Sequence, residues 1–453
     1  MPFVSAGICG GRIFLFRNAN VYDEKEDKIP YVICKDAPYT SRMMIRRPKD
    51  PAKFSGNVVV EILNATARID LDRMWVDTWR FFTRNGDIYI GLTSKSDVLP
   101  ALYMYDEERY KDINWSNPMP QRPAPENMEG FRFGFDPRFE YGLFWDMLAD
   151  VGKLLKNQIP GNPIKDYGDY KVYLTGWSQS TWYLMRWLKS FAYLPENYDQ
   201  EPLYDGYVSA GGTDHQAPLN TYSVTGSGML EYTGIHDMGA REPLIAVNTE
   251  SENIAASWAG DSDTPGHLFR FYEFAGSTHD TKNNIEDWYR DDPQIKKIGW
   301  PLYYEGVDGA PNDYPYEVLF HAVFHNLYAW VRNGIPAPHA HRIPRNSRLQ
   351  NRTDAFGNAL GGVRTAAINY PTCRYCLTSR KADGSINTLF GHIEPFRPAM
   401  LNELYKNVQN YEALVREDCK RQVAKGFMLK EDIEPFVEYL IETAKSRGLN
   451  CRN

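Results

Sequence analysis

The chain has 453 residues, of which 43% are hydrophobic and 24% charged, a composition typical of a globular protein with one large or two smaller domains. Its formal net charge of −7 argues against a nucleic-acid partner, because binding phosphates needs a basic face. Six scattered cysteines, no basic segment before the short N-terminal apolar run, and no apolar run of about 20 residues lead us to expect a cytoplasmic protein without a membrane partner.

Apolar runs alternate with helical patterns along most of the chain. The runs that predict strands are Ser41–Arg47, Asn57–Leu63, Asp87–Thr93, Lys171–Thr175, Tyr204–Ala210, Pro243–Thr249 and His267–Phe274. The segments with a helical period are Leu71–Arg84, Tyr141–Asn157, Gln179–Tyr193 and Asn253–Gly260. Runs such as N-V-V-V-E-I-L indicate strands that are covered on both faces, so we predict an α/β fold with a mostly parallel central sheet and helices on both sides.

Two stretches depart from this alternation. Residues 97–140 are rich in Pro, Met, Tyr and Phe, which suggests a lid over a site; an irregular packing element or a dimer contact fits equally well. Beyond residue 335 the pattern is irregular and then ends in a helical tail from about Ala399. We therefore predict a main domain over residues 1–340 and a C-terminal extension over residues 341–453 that docks on it.

The stretch K-V-Y-L-T-G-W-S-Q-S-T-W, residues 171–182, places a serine between a predicted strand and a predicted helix. The pattern G-x-S-x-G forms a nucleophile elbow, a strained turn that exposes the serine hydroxyl, and its end residues must be small because the two backbones approach closely. Here Ser180 takes the place of the second glycine and is still small. We predict that Ser178 is a nucleophile.

A serine nucleophile needs a base, and the base needs a carboxylate that orients it. Glu250 and Glu252 follow the strand P-L-I-A-V-N, and His279 follows the next strand, which gives the order serine, acid, histidine expected on this fold. Both loops leave the carboxyl edge of a parallel sheet. We predict His279 as the base and Glu252 as the acid, with Glu250 as the alternative.

The tetrahedral oxyanion of such a reaction needs two N–H donors. The first turn of the helix that follows Ser178 supplies the backbone N–H of Gln179. The loop after the strand N-V-V-V-E-I-L supplies the second candidate, the backbone N–H of Ala65.

Cys373 and Cys376 form a single C-x-x-C pattern. Zinc would need two more ligands from elsewhere in the chain, so the sequence favours a structural or incidental role for the pair.

Taken as an ordered set, several motifs resemble a poorly characterised, largely bacterial family of α/β-hydrolase domains with a G-[WY]-S-Q-[SG] elbow. The matching stretches are M-I-R-R-P-K-D-P-A-K-F-S-G-N-V-V-V-E-I-L-N, G-W-S-Q-S, Y-D-G-Y-V-S-A-G-G, T-E-S-E, E-F-A-G-S-T-H-D, A-W-V-R-N-G-I-P-A-P, G-N-A-L-G-G-V-R-T-A-A and L-F-G-H-I-E-P-F. The resemblance spans about residues 40–430 and implies the α/β-hydrolase fold, Ser178 as nucleophile and His279 as base. The family usually carries Glu-x-Asp where this chain has Glu250-Ser251-Glu252, which leaves the acid open.

Together these patterns predict a serine hydrolase that cleaves a carboxylic ester and needs no metal or organic cofactor. The same three residues could instead transfer the acyl group or cleave a carbon–carbon bond. A binding protein with a vestigial elbow and a hydrophobic or aromatic ligand is the alternative from another class. The aromatic content of 14% suggests a bulky or aromatic substrate, and a homodimer is compatible with the insertion.

Overall fold

The computed structural model describes residues 3–6, 14–25, 29–123, 136–223, 240–252, 258–299, 309–381 and 383–451. Its strands are β1 (Phe3–Ala6), β2 (Phe14–Glu24), β3 (Pro30–Pro48), β4 (Asn57–Ile62), β5 (Ile88–Leu92), β6 (Lys171–Trp177), β7 (Tyr198–Asp199), β8 (Glu201–Pro202), β9 (Gly206–Ala210), β10 (Leu244–Thr249), β11 (Ser262–Thr264), β12 (His267–Phe274), β13 (Ala310–Pro311), β14 (Cys373–Cys376), β15 (Ser379–Arg380), β16 (Ile386–Asn387) and β17 (His392–Pro395). Its α-helices are α1 (Arg73–Asn85), α2 (Leu99–Tyr110), α3 (Phe144–Leu155), α4 (Gln179–Arg186), α5 (Asp287–Tyr289), α6 (Pro293–Ile298), α7 (Glu317–Asn333), α8 (Ala366–Asn369), α9 (Pro398–Tyr405), α10 (Val408–Lys425) and α11 (Ile433–Ser446).

A central sheet dominates the described part of the chain. Its strand order is β1-β3-β5-β4-β6-β9-β10-β12-β11, and β2 pairs with β3 beside this path. Strands β5, β4, β6, β9, β10 and β12 are parallel to one another, whereas β3 and β11 run antiparallel to their neighbours. The prediction of a mostly parallel sheet with helices on both faces is confirmed.

The sheet separates two hydrophobic cores. Val58 and Val60 on β4 face the core that holds α3 and α4, whereas Val59 between them faces the core that holds α1 and α7. Successive side chains on a strand point to opposite faces, so a strand covered on both sides is apolar at most positions. This is the physical origin of the near-continuous apolar runs in the sequence.

Several element boundaries differ from the sequence prediction. Strand β3 covers 19 residues, whereas the sequence predicted a strand only over Ser41–Arg47. The first seven residues of β3 carry no buried side chain and are held by pairing with β2, so they show no apolar pattern. The helix predicted over Gln179–Tyr193 is α-helical only to Arg186 and continues as a π-helical turn, Trp187–Phe191. Most of the helix predicted over Asn253–Gly260 lies outside the described residues.

The described part of the aromatic insertion 97–140 is packed into the protein. Helix α2 and the segment after it bury Leu99, Leu102, Ile113 and Trp115 in the core on the α3 side of the sheet. Residues 124–135 lie outside the described residues. The function of this insertion as a lid stays a prediction.

The C-terminal extension shares the second core. Leu401, Val415 and Leu440 belong to the same buried cluster as Phe324 on α7. Val363 also forms a parallel bridge with Phe274 at the end of β12. The division of the chain near residue 340 stays a prediction. Within the described ranges, every helix is too short or too polar to cross a bilayer.

Candidate active site

Ser178 lies at a strained turn between β6 and α4. Its backbone adopts φ 56° and ψ −120°, a conformation that costs a non-glycine residue about 1–3 kcal/mol and persists where the surrounding structure enforces it. Two contacts hold the turn: the Ser178 N–H donates to the carbonyl of Ala210 on β9 at 2.9 Å, and Thr181 Oγ1 donates to the Ser178 carbonyl at 2.7 Å. The strained turn therefore places Ser178 at the carboxyl end of β6, between this strand and α4.

The two ends of the turn approach too closely for larger side chains. A Cβ atom placed on Gly176 would lie 2.9 Å from Ser180 Cβ, closer than real Cβ contacts, and 3.0 Å from the Ser180 carbonyl carbon, which is also tight. Gly176 is therefore required by the backbone approach, while the serine at position 180 is tolerated.

His279 lies in the loop after β12, beside the elbow. The centroid of its imidazole ring is 5.2 Å from that of Trp177, the residue that precedes Ser178. Its backbone N–H donates to Ser251 Oγ at 3.0 Å, and the residue is only 8% exposed. The loops after β10 and β12 thus bring the predicted base to the elbow.

Glu252 is the carboxylate that contacts the imidazole. Its Oε1 is hydrogen-bonded to His279 Nδ1, and its Oε2 accepts the N–H of Thr249 at 2.8 Å. Burial lowers the pKa of His279, but the charge of Glu252 and its hydrogen bond outweigh burial, so the pKa of His279 is raised overall. This pairing leaves Nε2 as the ring nitrogen available to a substrate or nucleophile.

Glu250, the alternative acid, makes its side-chain hydrogen bonds to residues other than His279. Its Oε2 accepts the N–H of Gly276 at 2.7 Å, and its Oε1 accepts the side-chain amide of Asn351 at 3.1 Å. Burial raises the pKa of this carboxyl group. Glu250 thus joins the loop that leads to His279 to the C-terminal extension.

The two predicted oxyanion donors flank the same turn. Asn64 Nδ2 donates to the Trp177 carbonyl at 3.0 Å, which fixes the loop of Ala65 against the elbow. Gln179 is the first residue of α4. Within the described residues, neither the Ala65 N–H nor the Gln179 N–H has a hydrogen-bond acceptor, as expected of donors that await a substrate oxygen.

No hydrogen bond joins Ser178 Oγ to His279 or to another group in the described part of the chain. Such bonds are often long or poorly aligned before substrate binds. Ser178 and His279 are thus a predicted pair that no direct hydrogen bond joins within the described residues.

Lys95 is a residue of this region that the sequence analysis did not identify. Its ammonium is fully buried and donates to Leu63 O at 2.9 Å, Ser94 Oγ at 2.7 Å and Ser180 Oγ at 3.0 Å. It also lies 4.5 Å from the centroid of the Tyr183 ring. Burial lowers the pKa of Lys95 to about 7. Lys95 links the strand that precedes the Ala65 loop to the helix of the elbow, and the polar run T-S-K-S in which it lies gave no signal of burial.

Arg73 is a second residue that the sequence analysis missed. Its guanidinium is 1% exposed, lies 4.9 Å from the Trp177 ring centroid and contacts Asp280 Oδ1 at 3.2 Å. It also donates to the Asn284 carbonyl at 3.1 Å. Arg73 therefore anchors the segment after His279 to the strand that carries the elbow.

Several solved structures are distantly similar to this chain. Three of them are an alpha-beta serine hydrolase homologue from Coxiella burnetii, the siderophore hydrolase EstA from Aspergillus nidulans and Est1E from Butyrivibrio proteoclasticus. Their identities to this chain are 10%, 12% and 8%, and their TM-scores are 0.25, 0.25 and 0.27. The matches cover 52%, 64% and 62% of this chain and 76%, 79% and 99% of the respective structures.

These likenesses are too distant to carry an argument about chemistry, and no curated protein matches the sequence significantly. A family model described as "Alpha/beta hydrolase domain", in contrast, matches residues 14–438, almost the whole chain. Together with the sheet order, this match shows that the chain belongs to that family of alpha/beta hydrolase domains.

Proposed function

We propose that this protein is a serine hydrolase that cleaves a carboxylic ester through Ser178, His279 and Glu252. The observation that carries the proposal is the position of the His279 imidazole, which is bonded to Glu252 through Nδ1 and lies beside the elbow through its contact with Trp177. A histidine held in this way presents Nε2 as the proton acceptor, which is the arrangement that activates a serine nucleophile.

The first half of the reaction acylates the serine. His279 Nε2 takes the hydroxyl proton as Ser178 Oγ attacks the ester carbonyl, and the charge that develops on the carbonyl oxygen is stabilised by the N–H groups of Ala65 and Gln179. Each such donor is typically worth about 3 kcal/mol. Collapse of the tetrahedral intermediate expels the alcohol, which receives the proton from Nε2. Glu252 stabilises the imidazolium while the proton is held there.

The second half returns the enzyme to its initial state. His279 takes a proton from water, the resulting hydroxide attacks the acyl carbonyl, and the carboxylic acid leaves as Ser178 regains its proton. The proposed chemistry uses side chains and backbone groups of this chain together with one water molecule. The aromatic residues of the 97–140 insertion favour a bulky or aromatic ester as substrate.

Covalent labelling tests the nucleophile directly. A fluorophosphonate should label the wild-type protein once, on the peptide that contains Ser178, as measured by mass spectrometry of the digest. The Ser178→Ala variant should not be labelled and should lose nitrophenyl ester hydrolysis by at least about 10³-fold. Ser446→Ala, which changes an exposed serine on α11, should leave labelling and turnover unchanged.

The outcomes separate this proposal from the alternatives. Turnover that survives in Ser178→Ala would exclude the mechanism. Labelling without ester turnover across a panel of chain lengths and ring contents would instead support a binding protein with a vestigial elbow. Partition of the acyl group to an added alcohol in preference to water would identify an acyltransferase with the same three residues.

A further inference from the structure

A small three-stranded sheet in the C-terminal extension brings together side chains that are far apart in the sequence. Its strand order is β13-β17-β14, and both strand pairs are antiparallel. Cys376 is the Cα partner of His392, and Arg374 is the Cα partner of Glu394. Since side chains alternate along a strand, these four residues share one face of the ribbon that β14 and β17 form.

The opposite face of this ribbon is buried against the protein. Cys373, Tyr375 and Ile393 belong to the second core, whereas Cys376 and His392 are half-buried and Glu394 is exposed. Cys373 and Cys376 are three residues apart and therefore point to opposite faces. The two cysteines of the C-x-x-C pair therefore cannot bind one ion together. Cys376 instead lies on the same face as His392 and Glu394 of β17.

Three potential ligand atoms converge on the outer face. One ligand atom each from Cys376, His392 and Glu394 lies within 4.8 Å of the other two. His392 Nε2 is 3.9 Å from Glu394 Oε1. Ligand atoms around a tetrahedral zinc ion are roughly 3.3–3.6 Å apart, so small side-chain rotations would close the three atoms around a metal.

A hydrogen bond prepares the histidine for this role. His392 Nδ1 lies 2.7 Å from the carbonyl oxygen of Thr378, which can only accept, so Nδ1 carries the hydrogen and Nε2 keeps its lone pair. Metal-bound histidines almost always donate their other N–H in this way. The nitrogen that faces Glu394 is thus the one able to bind a metal.

We propose that Cys376, His392 and Glu394 bind a zinc ion whose fourth ligand is a water molecule. A thiolate, an imidazole and a carboxylate form a ligand set that zinc accepts. The thiolate and the carboxylate each carry one negative charge, and together they balance the double positive charge of the ion. Arg374 donates to the other carboxylate oxygen, Oε2, at 3.2 Å and so leaves Oε1 free for the metal.

The ion would brace the ribbon that supports the histidine loop. Phe390, two residues before His392, forms a parallel bridge with Asp280, and the Asp280 N–H donates to the Leu389 carbonyl at 3.0 Å. We assign the ion no step in ester hydrolysis, so the site stands independently of the hydrolase proposal.

Cobalt titration of the full-length, chelator-treated protein tests the site without using ester turnover. One equivalent of Co²⁺ should produce thiolate-to-cobalt absorption in the near ultraviolet, and Zn²⁺ should displace it. Cys376→Ser should abolish the absorption, and His392→Gln should weaken binding at least about tenfold. Cys451→Ser, which changes an exposed thiol outside the ribbon, should leave both unchanged.

Zinc should also raise the thermal denaturation temperature of the wild-type protein but not that of Cys376→Ser, because the ion binds only the folded ribbon. Cys376 points outward, so its replacement is expected to preserve the fold, and Glu394→Gln gives a second variant with the same expected loss of affinity. Wild-type protein without the thiolate absorption, or absorption that survives in Cys376→Ser, would overturn the proposal.

Discussion

The buried Lys95 should make this protein more stable as the pH rises above about 7. Burial lowers the pKa of its ammonium from 10.5 to about 7 in the folded protein, whereas the unfolded chain keeps the higher value. Below about pH 7 both states hold the proton. Between about pH 7 and 10.5 only the unfolded chain holds it, so the free energy of unfolding rises with pH across this window.

The size of the effect follows from the shift. Each pH unit inside the window contributes about 1.4 kcal/mol, so the contribution of Lys95 to stability should improve by about 3 kcal/mol between pH 6 and pH 9. Lys95 is fully buried, so solvent does not screen the effect. Lys95→Met keeps an unbranched side chain of similar length and removes the titration, and with it the hydrogen bonds to Leu63, Ser94 and Ser180.

Urea unfolding at pH 6 and pH 9 measures this contribution. Other buried groups also titrate in this range, so the relevant quantity is the wild-type free energy of unfolding minus that of Lys95→Met, compared between the two pH values. Lys111→Met, which removes an exposed lysine paired with Glu108, controls for the loss of one charge. A difference that is the same at both pH values would refute the argument and would mean that three oxygen acceptors suffice to keep the buried ammonium charged.

Substitutions of Glu252 and Glu250 should have different effects on catalysis and on stability. Glu252→Gln should lower kcat for ester hydrolysis by roughly 10³- to 10⁴-fold, because the one remaining carbonyl oxygen cannot accept from both His279 Nδ1 and the Thr249 N–H, and it should lower the urea midpoint less than Glu250→Gln does, because Glu252 is the less buried of the two. Glu250→Gln should instead lower the free energy of unfolding by about 1–3 kcal/mol, because Gly276 or Asn351 loses its acceptor, and should reduce kcat far less; the reverse order would contradict the assignment. In a pH profile of kcat/KM, activity should fall on acidification at a pH above 6.5, since the imidazole must be neutral to accept a proton and the pKa of His279 is raised. In Glu252→Gln this limb should move to lower pH, because burial then dominates; a wild-type limb at or below pH 6.5 would contradict the charge balance.

The parts of the fold that could be predicted are those in which one short segment carries the whole signal. Strands such as β4 and β6 are covered on both faces, and their near-continuous apolar runs reveal them. Strand β3 was only partly predicted because its first seven residues are held by pairing with β2, a contact that leaves little pattern in the sequence.

The site shows the same division between local and distant contacts. The elbow sequence predicts a strained strand-to-helix turn around Ser178, and the chain order predicts the candidates for base and acid. The contacts of Glu250 depend on Asn351, 101 residues further along the chain, and no local pattern encodes them. The burial of Lys95 likewise needs acceptors from two separate segments, Leu63 and Ser180, and charged residues in a polar run are ordinarily exposed.

The bridges between the histidine loop and the last quarter of the chain have a consequence for synthesis on the ribosome. Domains usually begin to fold as they emerge, from the N-terminal end. Here the elbow and the proposed base are translated by residue 279, yet Glu250 finds its amide partner only when residue 351 emerges, and Asp280 finds its backbone partners only at residues 389 and 390. A nascent chain should therefore carry all three proposed catalytic side chains for over a hundred codons before the loop around His279 acquires its final support.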